Sequence, residues 1–371
     1  MKVCIDIQSA IAQRAGVGRY TKSLVEHLGP AAEGDELRLF YFDFKRKGLS
    51  FPVNGAREKA VRWLPGRLAQ KAWKELGWPP FDWFSGRADL FHFPNFIRPP
   101  LSSGRSVVTI HDVSFLRVPE TTEERNLEYL NAQIRRTVDH ADAIITDSEF
   151  SSREMQELLK LKPKQIFPIH LGLDPAISRP APAAMADHLF ALNLDRPYLL
   201  TVGTLEPRKN HLFLLDLFER LESFDGDLVI AGMRGWKYEP ILERMKNSSR
   251  AENIRYLEFV PDKYLASLYA GAQLFLFPSI YEGFGFPPLE AMACGAPVVS
   301  ASAGSLAEVL GEAARVIDGH DLEAWTESVS ALLNDEDEKA RMREAGCEHA
   351  RTFQWSETAR QTWEVYRTVA G

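Results

Sequence analysis

One pattern limits this chain more than any other. Short runs of β-branched and other apolar residues recur, and a stretch with helical spacing follows each. In the first half the runs are Lys2–Ile7, Leu37–Asp43, Leu90–Phe93, Val107–Ile110, Ala143–Thr146 and Gln165–Pro168. In the second they are Tyr198–Val202, Leu228–Ala231, Ile254–Phe259, Leu274–Phe277, Pro297–Ser300 and Ala314–Ile317. Strand then helix, repeated, builds parallel sheets covered by helices on both faces, because parallel strands need a crossover between them. Two series predict two doubly wound α/β domains, and 371 residues is the length of two.

Pro175, Pro180, Pro182 and Pro197 mark the seam. Prolines at this density disfavour regular structure. The expected organisation is a domain over residues 1–174, a linker over 175–197 and a second domain over 198–352. Residues 353–371 are expected to form a closing helix whose aromatic residues need a surface to pack on.

Composition removes several classes of function. Apolar residues make up 45% and charged residues 26%, which excludes wholesale disorder and fibrous repeats. A net charge of −7 argues against nucleic acid as the main partner. Cys4, Cys294 and Cys347 are too scattered for a disulfide framework or a zinc site, which points to a reducing, cytoplasmic compartment. The first residues lack a signal peptide's apolar core, and no run of about 18 apolar residues suggests a spanning helix, so any membrane contact is expected to be peripheral.

Charge is uneven. Residues 45–78 carry nine basic side chains against Glu58 and Glu75, a local +7 that leaves −14 for the rest. Trp63, Trp73 and Trp78 lie in the same stretch. Basic residues and tryptophans along a helical segment suit an anionic membrane surface. A solvated helix with its tryptophans in the core is the competing reading, and the sequence leaves both open.

Ligands of open parallel sheets bind beyond the carboxyl ends of the strands. Val107–Ile110 ends in His111-Asp112, with Asp112 placed to orient the histidine or cap the next turn. Tyr198–Val202 runs into Gly203-Thr204-Leu205-Glu206-Pro207-Arg208-Lys209-Asn210. Leu274–Phe277 leads to Tyr281-Glu282-Gly283-Phe284-Gly285-Phe286-Pro287-Pro288-Leu289-Glu290. Gly203 allows close backbone approach, Asn210 suits a helix N-cap, and Arg208 and Lys209 beside a helix start make an anion site suited to a diphosphate. Pro288 as first helical residue puts Glu290 in the first turn, where it could accept from a ribose diol. Glu282 and Glu290 also have the look of a hydrolase acid/base pair. Ser305-Leu306-Ala307-Glu308 reads as a capping box.

Gly16-Val17-Gly18 is a poor dinucleotide fingerprint, because Thr21 stands where the third glycine belongs, so hydride chemistry is disfavoured. Asp225-Gly226-Asp227 has the spacing of a metal-binding pair but precedes its strand, at the wrong edge of the sheet. No metal is expected.

The order of these signals resembles that of the retaining glycosyltransferases of family 4. The resemblance covers nearly the whole chain, and it is closest to bacterial mannosyltransferases of O-antigen and exopolysaccharide assembly. It rests on the glycines at 16–18, His111, the Glu-Pro-Arg-Lys-Asn run, Tyr-Glu-Gly-Phe-Gly with the glutamates at 282 and 290, and Phe353-Gln354-Trp355 before the last helix. One departure is Thr204, where many relatives have arginine.

The resemblance implies a GT-B fold, two Rossmann-like doubly wound domains facing across a cleft. It implies transfer without a metal or other cofactor from a nucleotide-diphosphate sugar, GDP-mannose favoured, to a glycan or lipid-linked acceptor at the inner face of the cell membrane. Arg208 and Lys209 would neutralise the leaving diphosphate. Glu290 would hold the ribose, and Glu282 the donor sugar, with the amides of Phe284 and Gly285. His111 would reach a sugar hydroxyl, the Gly16–Gly18 loop would lie against donor phosphates or acceptor, and the backbone of Val260, at its strand's end, would meet the base. Gly203 and Thr204 would border the phosphates, and the last helix would cross back to the first domain. A catalytically silent partner of another transferase, a sugar-nucleotide epimerase and, more remotely, a nicotinamide dehydrogenase are the alternatives.

Overall fold

The computed structural model describes residues 1–12, 16–32, 34–51 and 53–371, so position 52 of the basic stretch lies outside the described residues. The chain forms two compact units. The first holds Met1–Leu116, Glu128–Gly172 and Gln354–Gly371, and the second holds Arg117–Leu127 and Leu173–Phe353.

The first unit is built on β1 (Lys2–Asp6), β2 (Glu36–Phe42), β3 (Ala56–Val61), β4 (Leu90–Phe93), β5 (Arg105–Thr109), β6 (Ala143–Thr146) and β7 (Ile166–Pro168). The spatial order is β3-β2-β1-β4-β5-β6-β7, every pair parallel. β4 and β6 are buried along their whole length, which is why they read as unbroken apolar runs.

β3 was not expected. Its sequence, Ala-Arg-Glu-Lys-Ala-Val, carries three successive charged residues, all exposed. It pairs with β2 alone at the sheet edge, where charge discourages pairing with another chain. The basic stretch is therefore not one helical segment. It is a turn, this edge strand and the helix Gly66–Leu76.

The helix Trp355–Ala370 belongs to the first unit and packs along the helix Val17–Ala31. Its Trp363 and Tyr366 are buried. Gly172 makes room for it, since a Cβ there would lie 2.2 Å from the Trp355 nitrogen.

The second unit contains β8 (Tyr198–Val202), β9 (Asp227–Ala231), β10 (Ile254–Leu257), β11 (Leu274–Phe277), β12 (Val298–Ala301) and β13 (Arg315–Ile317). They form a parallel sheet in the order β10-β9-β8-β11-β12-β13. The winding reverses between β8 and β11, which are neighbours in space but not in sequence. Both units thus have the expected doubly wound α/β class.

Two readings need correction. The proline-rich stretch is irregular only in part: Pro182 occupies the first turn of a helix, Pro182–Ala191, which packs on the helix Asp262–Ala270. Arg117–Leu127 joins the second unit, where Trp236 Nε1 donates to the Thr121 carbonyl at 2.7 Å and Lys237 Nζ to that of Glu120 at 2.8 Å.

Candidate functional site

The switch point between β8 and β11 is where an open sheet leaves room for a ligand. β8 leads into Gly203, which is pressed against Gly232 beyond β9. A Cβ on Gly232 would lie 1.9 Å from the Gly203 carbonyl oxygen. Thr204 borders Gly235 in the same way, its Cγ2 2.6 Å from where a Cβ would stand. A short 3₁₀ turn, Pro207–Lys209, follows, and then Asn210 at φ 55°, before the helix His211–Arg220. Asn210 ends the turn through its tolerance of the left-handed region and makes no side-chain cap, unlike the expectation.

β11 leads into the loop that carries Glu282, and the two loops meet. Arg208 donates through Nη1 to Glu282 Oε2 at 2.9 Å and to the Tyr281 carbonyl at 2.9 Å, and through Nη2 to Glu206 Oε1 at 2.8 Å. Lys209 Nζ donates to Glu282 Oε1 at 2.6 Å, and Ser279 Oγ to the same oxygen at 2.5 Å. Glu282 is 6% exposed. Burial alone would raise its proton affinity, but Arg208 and Lys209 outweigh it and bring the pKa down to about 2. Two cations and two carboxylates, Glu206 and Glu282, form one interlocked cluster.

The loop is braced from behind. Ser305 Oγ donates to the carbonyls of Glu282 and Phe284, both at 3.1 Å, and the Ser305 amide donates to the Glu282 carbonyl at 2.9 Å. Ser305 therefore supports the loop and is not the side-chain cap of a capping box. Gly304, at φ +65°, allows the close approach: a Cβ there would lie 2.2 Å from the Glu282 carbonyl oxygen. Phe284 is buried, with its ring 5.9 Å from that of Phe353.

Gly285, at φ +105°, precedes a helix that begins at Phe286 and not at Pro288. Glu290 consequently lies past the first turn. It is buried and accepts the Tyr269 hydroxyl at 2.9 Å on Oε2. Val260 is also displaced from its expected position, because β10 ends at Leu257 and Val260 falls in the following loop.

The remaining candidates lie in the first unit. Gly16, at φ 57°, is the N-cap of Val17–Ala31, and Gly18 is buried inside that helix, so among the described residues positions 16–18 are the start of this helix. His111 follows β5. Its partner is Asp147, beyond β6, with Nδ1 2.8 Å from Oδ2, while Nε2 lies 3.2 Å from the Pro94 carbonyl. Asp112 accepts the Ser114 amide instead. Burial opposes charge on His111, but Asp147 outweighs it and the proton affinity is raised. With an acceptor facing each ring nitrogen, the protonated ring can donate to both.

The His111 ring stands edge-on to Tyr20, 4.7 Å between centroids. Behind it runs a buried chain: Tyr20 Oη to Thr109 Oγ1 at 3.0 Å, Thr109 Oγ1 to His92 Nε2 at 2.8 Å, and His92 Nδ1 to Tyr366 Oη at 2.6 Å.

Sequence reasoning missed Glu206, Ser279, Ser305, Gly304, Tyr269 and Asp147. Glu206 and Ser279 stand two and three positions from Arg208 and Glu282, so their nearness was visible, but their bonds depend on β8 lying beside β11. Among the described residues no group of three or more His, Cys, Asp and Glu side chains could hold a metal ion. Asp225 and Asp227 are engaged by Arg196, and Asp227 also by Arg255.

Comparison with known proteins gives this geometry a context. Residues 14–177 match the family described as Glycosyltransferase Family 4, and residues 188–349 match glycosyl transferases group 1. The chain is 32% identical to O-antigen chain mannosyltransferase B of Escherichia coli, covering 100% of both chains. It is also 32% identical to a D-inositol 3-phosphate glycosyltransferase of Thermobispora bispora, over 62% of this chain and 57% of that one. Among solved structures it resembles a sucrose-phosphate synthase from Thermosynechococcus elongatus, with TM-score 0.76 and 20% identity over 99% and 98% of the two chains. Anabaena Alr3699/HepE, in complex with UDP-glucose, aligns with TM-score 0.73 and 17% identity over 99% of each. These structures share the fold, and the full-length relative carries the family: the chain belongs to the GT-B-fold glycosyltransferases of the family 4 and group 1 type.

Proposed function

We propose that the chain transfers mannose from GDP-mannose, with retention and without a metal ion, to a glycan or lipid-linked acceptor in cell-surface polysaccharide assembly. It would act at the cytoplasmic face of the membrane, with residues 45–78 as the contact face. The observation that carries this reading is the Glu282 carboxylate bridging Arg208 and Lys209 at the switch point. The full-length similarity to a protein named an O-antigen chain mannosyltransferase supports the choice of sugar.

The roles follow from donor counts. An ammonium has three N–H groups, and Lys209 gives one to Glu282. Its others suit the diphosphate oxygens, with the amides near Gly203 and Thr204 beside them. Arg208 fixes Glu206 and Glu282 and adds positive charge. Glu282 Oε2, which accepts from Arg208, takes a donor-sugar hydroxyl on its second lone pair, next to Phe284 and Gly285. Glu290, anchored by Tyr269, takes the ribose, and Val260 the base. His111 turns its Nε2 hydrogen from the Pro94 carbonyl, 3.2 Å away, to a substrate hydroxyl, and Gly16 and Gly18 border the first unit's share of the substrates.

In the reaction the bond from sugar C1 to the diphosphate oxygen breaks, and its electron pair stays on GDP. The acceptor oxygen bonds C1 on the same face, and its proton passes to the departing phosphate oxygen. Preorganised cations at that developing charge contribute on the order of 3 kcal/mol each, so Arg208 and Lys209 can take the part of a metal ion. Titration with GDP and UDP, followed by transfer assays across nucleotide sugars, tests the assignment. Preference for GDP and turnover of GDP-mannose support it. UDP preference, or an isomerised donor without any acceptor, contradicts it.

A further inference from the structure

The first unit carries an apolar groove far richer in exposed aromatic surface than a soluble face needs. Its volume is about 470 Å³, and Trp63, Leu68, Ala72, Trp78, Trp83 and Phe84 line it. Trp63 is 71% exposed, Trp83 62% and Leu76, at the end of the helix Gly66–Leu76, 74%. The helix Gly66–Leu76 explains how this arises. Ala69 and Trp73 face the core. Leu68, Ala72 and Leu76, spaced four apart, form a second apolar row that faces outward. Trp73 Nε1 donates to the Pro79 carbonyl at 2.7 Å, and Trp78 and Trp83 meet edge to face at 5.6 Å, which closes the groove's far wall.

The rim is cationic. Arg67 and Lys71 flank the apolar row on the same helix, and both are exposed. Arg62, next to Trp63, bonds Asp43, which also receives the amides of Lys47 and Gly48 and so holds the basic turn at Lys45–Lys47 beside it. Glu75 is the one carboxylate on the helix, 3.9 Å from Lys71. Apolar floor, tryptophan walls and a basic rim complement an anionic amphiphile: hydrocarbon inside, headgroup at the cations.

We propose that this groove takes the hydrocarbon chain of an anionic lipid in a bilayer, with the tryptophans at the interface and Arg62, Arg67 and Lys71 on the headgroups. The inference rests on the reading of residues 45–78 as a membrane-contact face and adds to it a defined lipid site.

The test mixes the full chain with phosphatidylcholine vesicles, with or without about 30% phosphatidylglycerol, using acyl chains brominated for quenching. Binding to anionic vesicles with quenched tryptophan emission supports the proposal. So does an affinity loss of about tenfold in the double variant Leu68→Gln, Trp83→Gln, with its melting curve unchanged because both side chains are exposed. Arg67→Glu with Lys71→Glu is expected to abolish the preference for anionic vesicles. Binding that depends on charge but shows no quenching, and is indifferent to Leu68→Gln, Trp83→Gln, overturns the groove and leaves the contact face standing. No binding to anionic vesicles overturns both. A lipid-free dimer in sedimentation, dissociated by the same variant, would show that a second copy of the chain covers the groove. GDP titration without lipid tests the donor site separately.

Discussion

The Lys209 ammonium lies 2.6 Å from Glu282 Oε1, joining the loop after β8 to the loop after β11 across the point where the sheet reverses its winding. The carboxylate that would hold the sugar and the cations that would hold the phosphates are thus one electrostatic unit.

Replacing Glu282 with glutamine keeps its size and removes its charge. Lys209 then loses its counterion and Arg208 keeps only Glu206, in a site where each cation is mostly buried. We expect stability to fall by about 3 kcal/mol, as when one partner of a buried pair is removed. GDP should bind more tightly than to the wild type, because the diphosphate supplies the missing charge, while sugar transfer is lost. Calorimetric melts with and without GDP measure both effects.

The same carboxylate sets an acid limit. With a folded pKa of about 2 against an ordinary 4.5, its stabilisation is complete above about 4.5 and is lost as pH falls toward 2. Acid unfolding of Glu282→Gln should lack this component, so the gap in stability between variant and wild type narrows below pH about 4.

His111 titrates with the opposite sign. Its proton affinity is raised by Asp147, so its stabilisation is complete below about pH 6.5 and is lost as pH rises through the elevated value. Asp147→Asn should bring the His111 titration down, and nitrogen NMR of the ring should show a lower midpoint in the variant than in the wild type. A midpoint unchanged by the substitution would contradict the assignment.

Gly304→Ala tests the brace behind Glu282. The added methyl meets the Glu282 carbonyl at 2.2 Å from a left-handed backbone. A cost of about 1–3 kcal/mol is expected, with transfer reduced further than the fraction folded explains, because the shifted loop moves the carboxylate. Activity per folded molecule is the measurement.

The sheets were legible because strands buried on both faces leave continuous apolar runs. β3 escaped for the same reason inverted: an edge strand has one neighbour, and Arg57, Glu58 and Lys59 face water. The helix Pro182–Ala191 hid behind prolines, one of which begins it. At the site, Arg208, Lys209 and Glu282 could be singled out by their places after strands. Which carboxylate each histidine or cation would meet could not, since Asp147 reaches His111 only because β6 lies beside β5. Sheet order is a long-range fact, and local spacing does not contain it.

The most direct test of the central claim is transfer from GDP-mannose by Lys209→Met. The account predicts a fall in turnover of about a hundredfold or more, with weakened GDP binding and an unchanged circular dichroism spectrum. Wild-type turnover in that variant, with GDP bound as before, would contradict it.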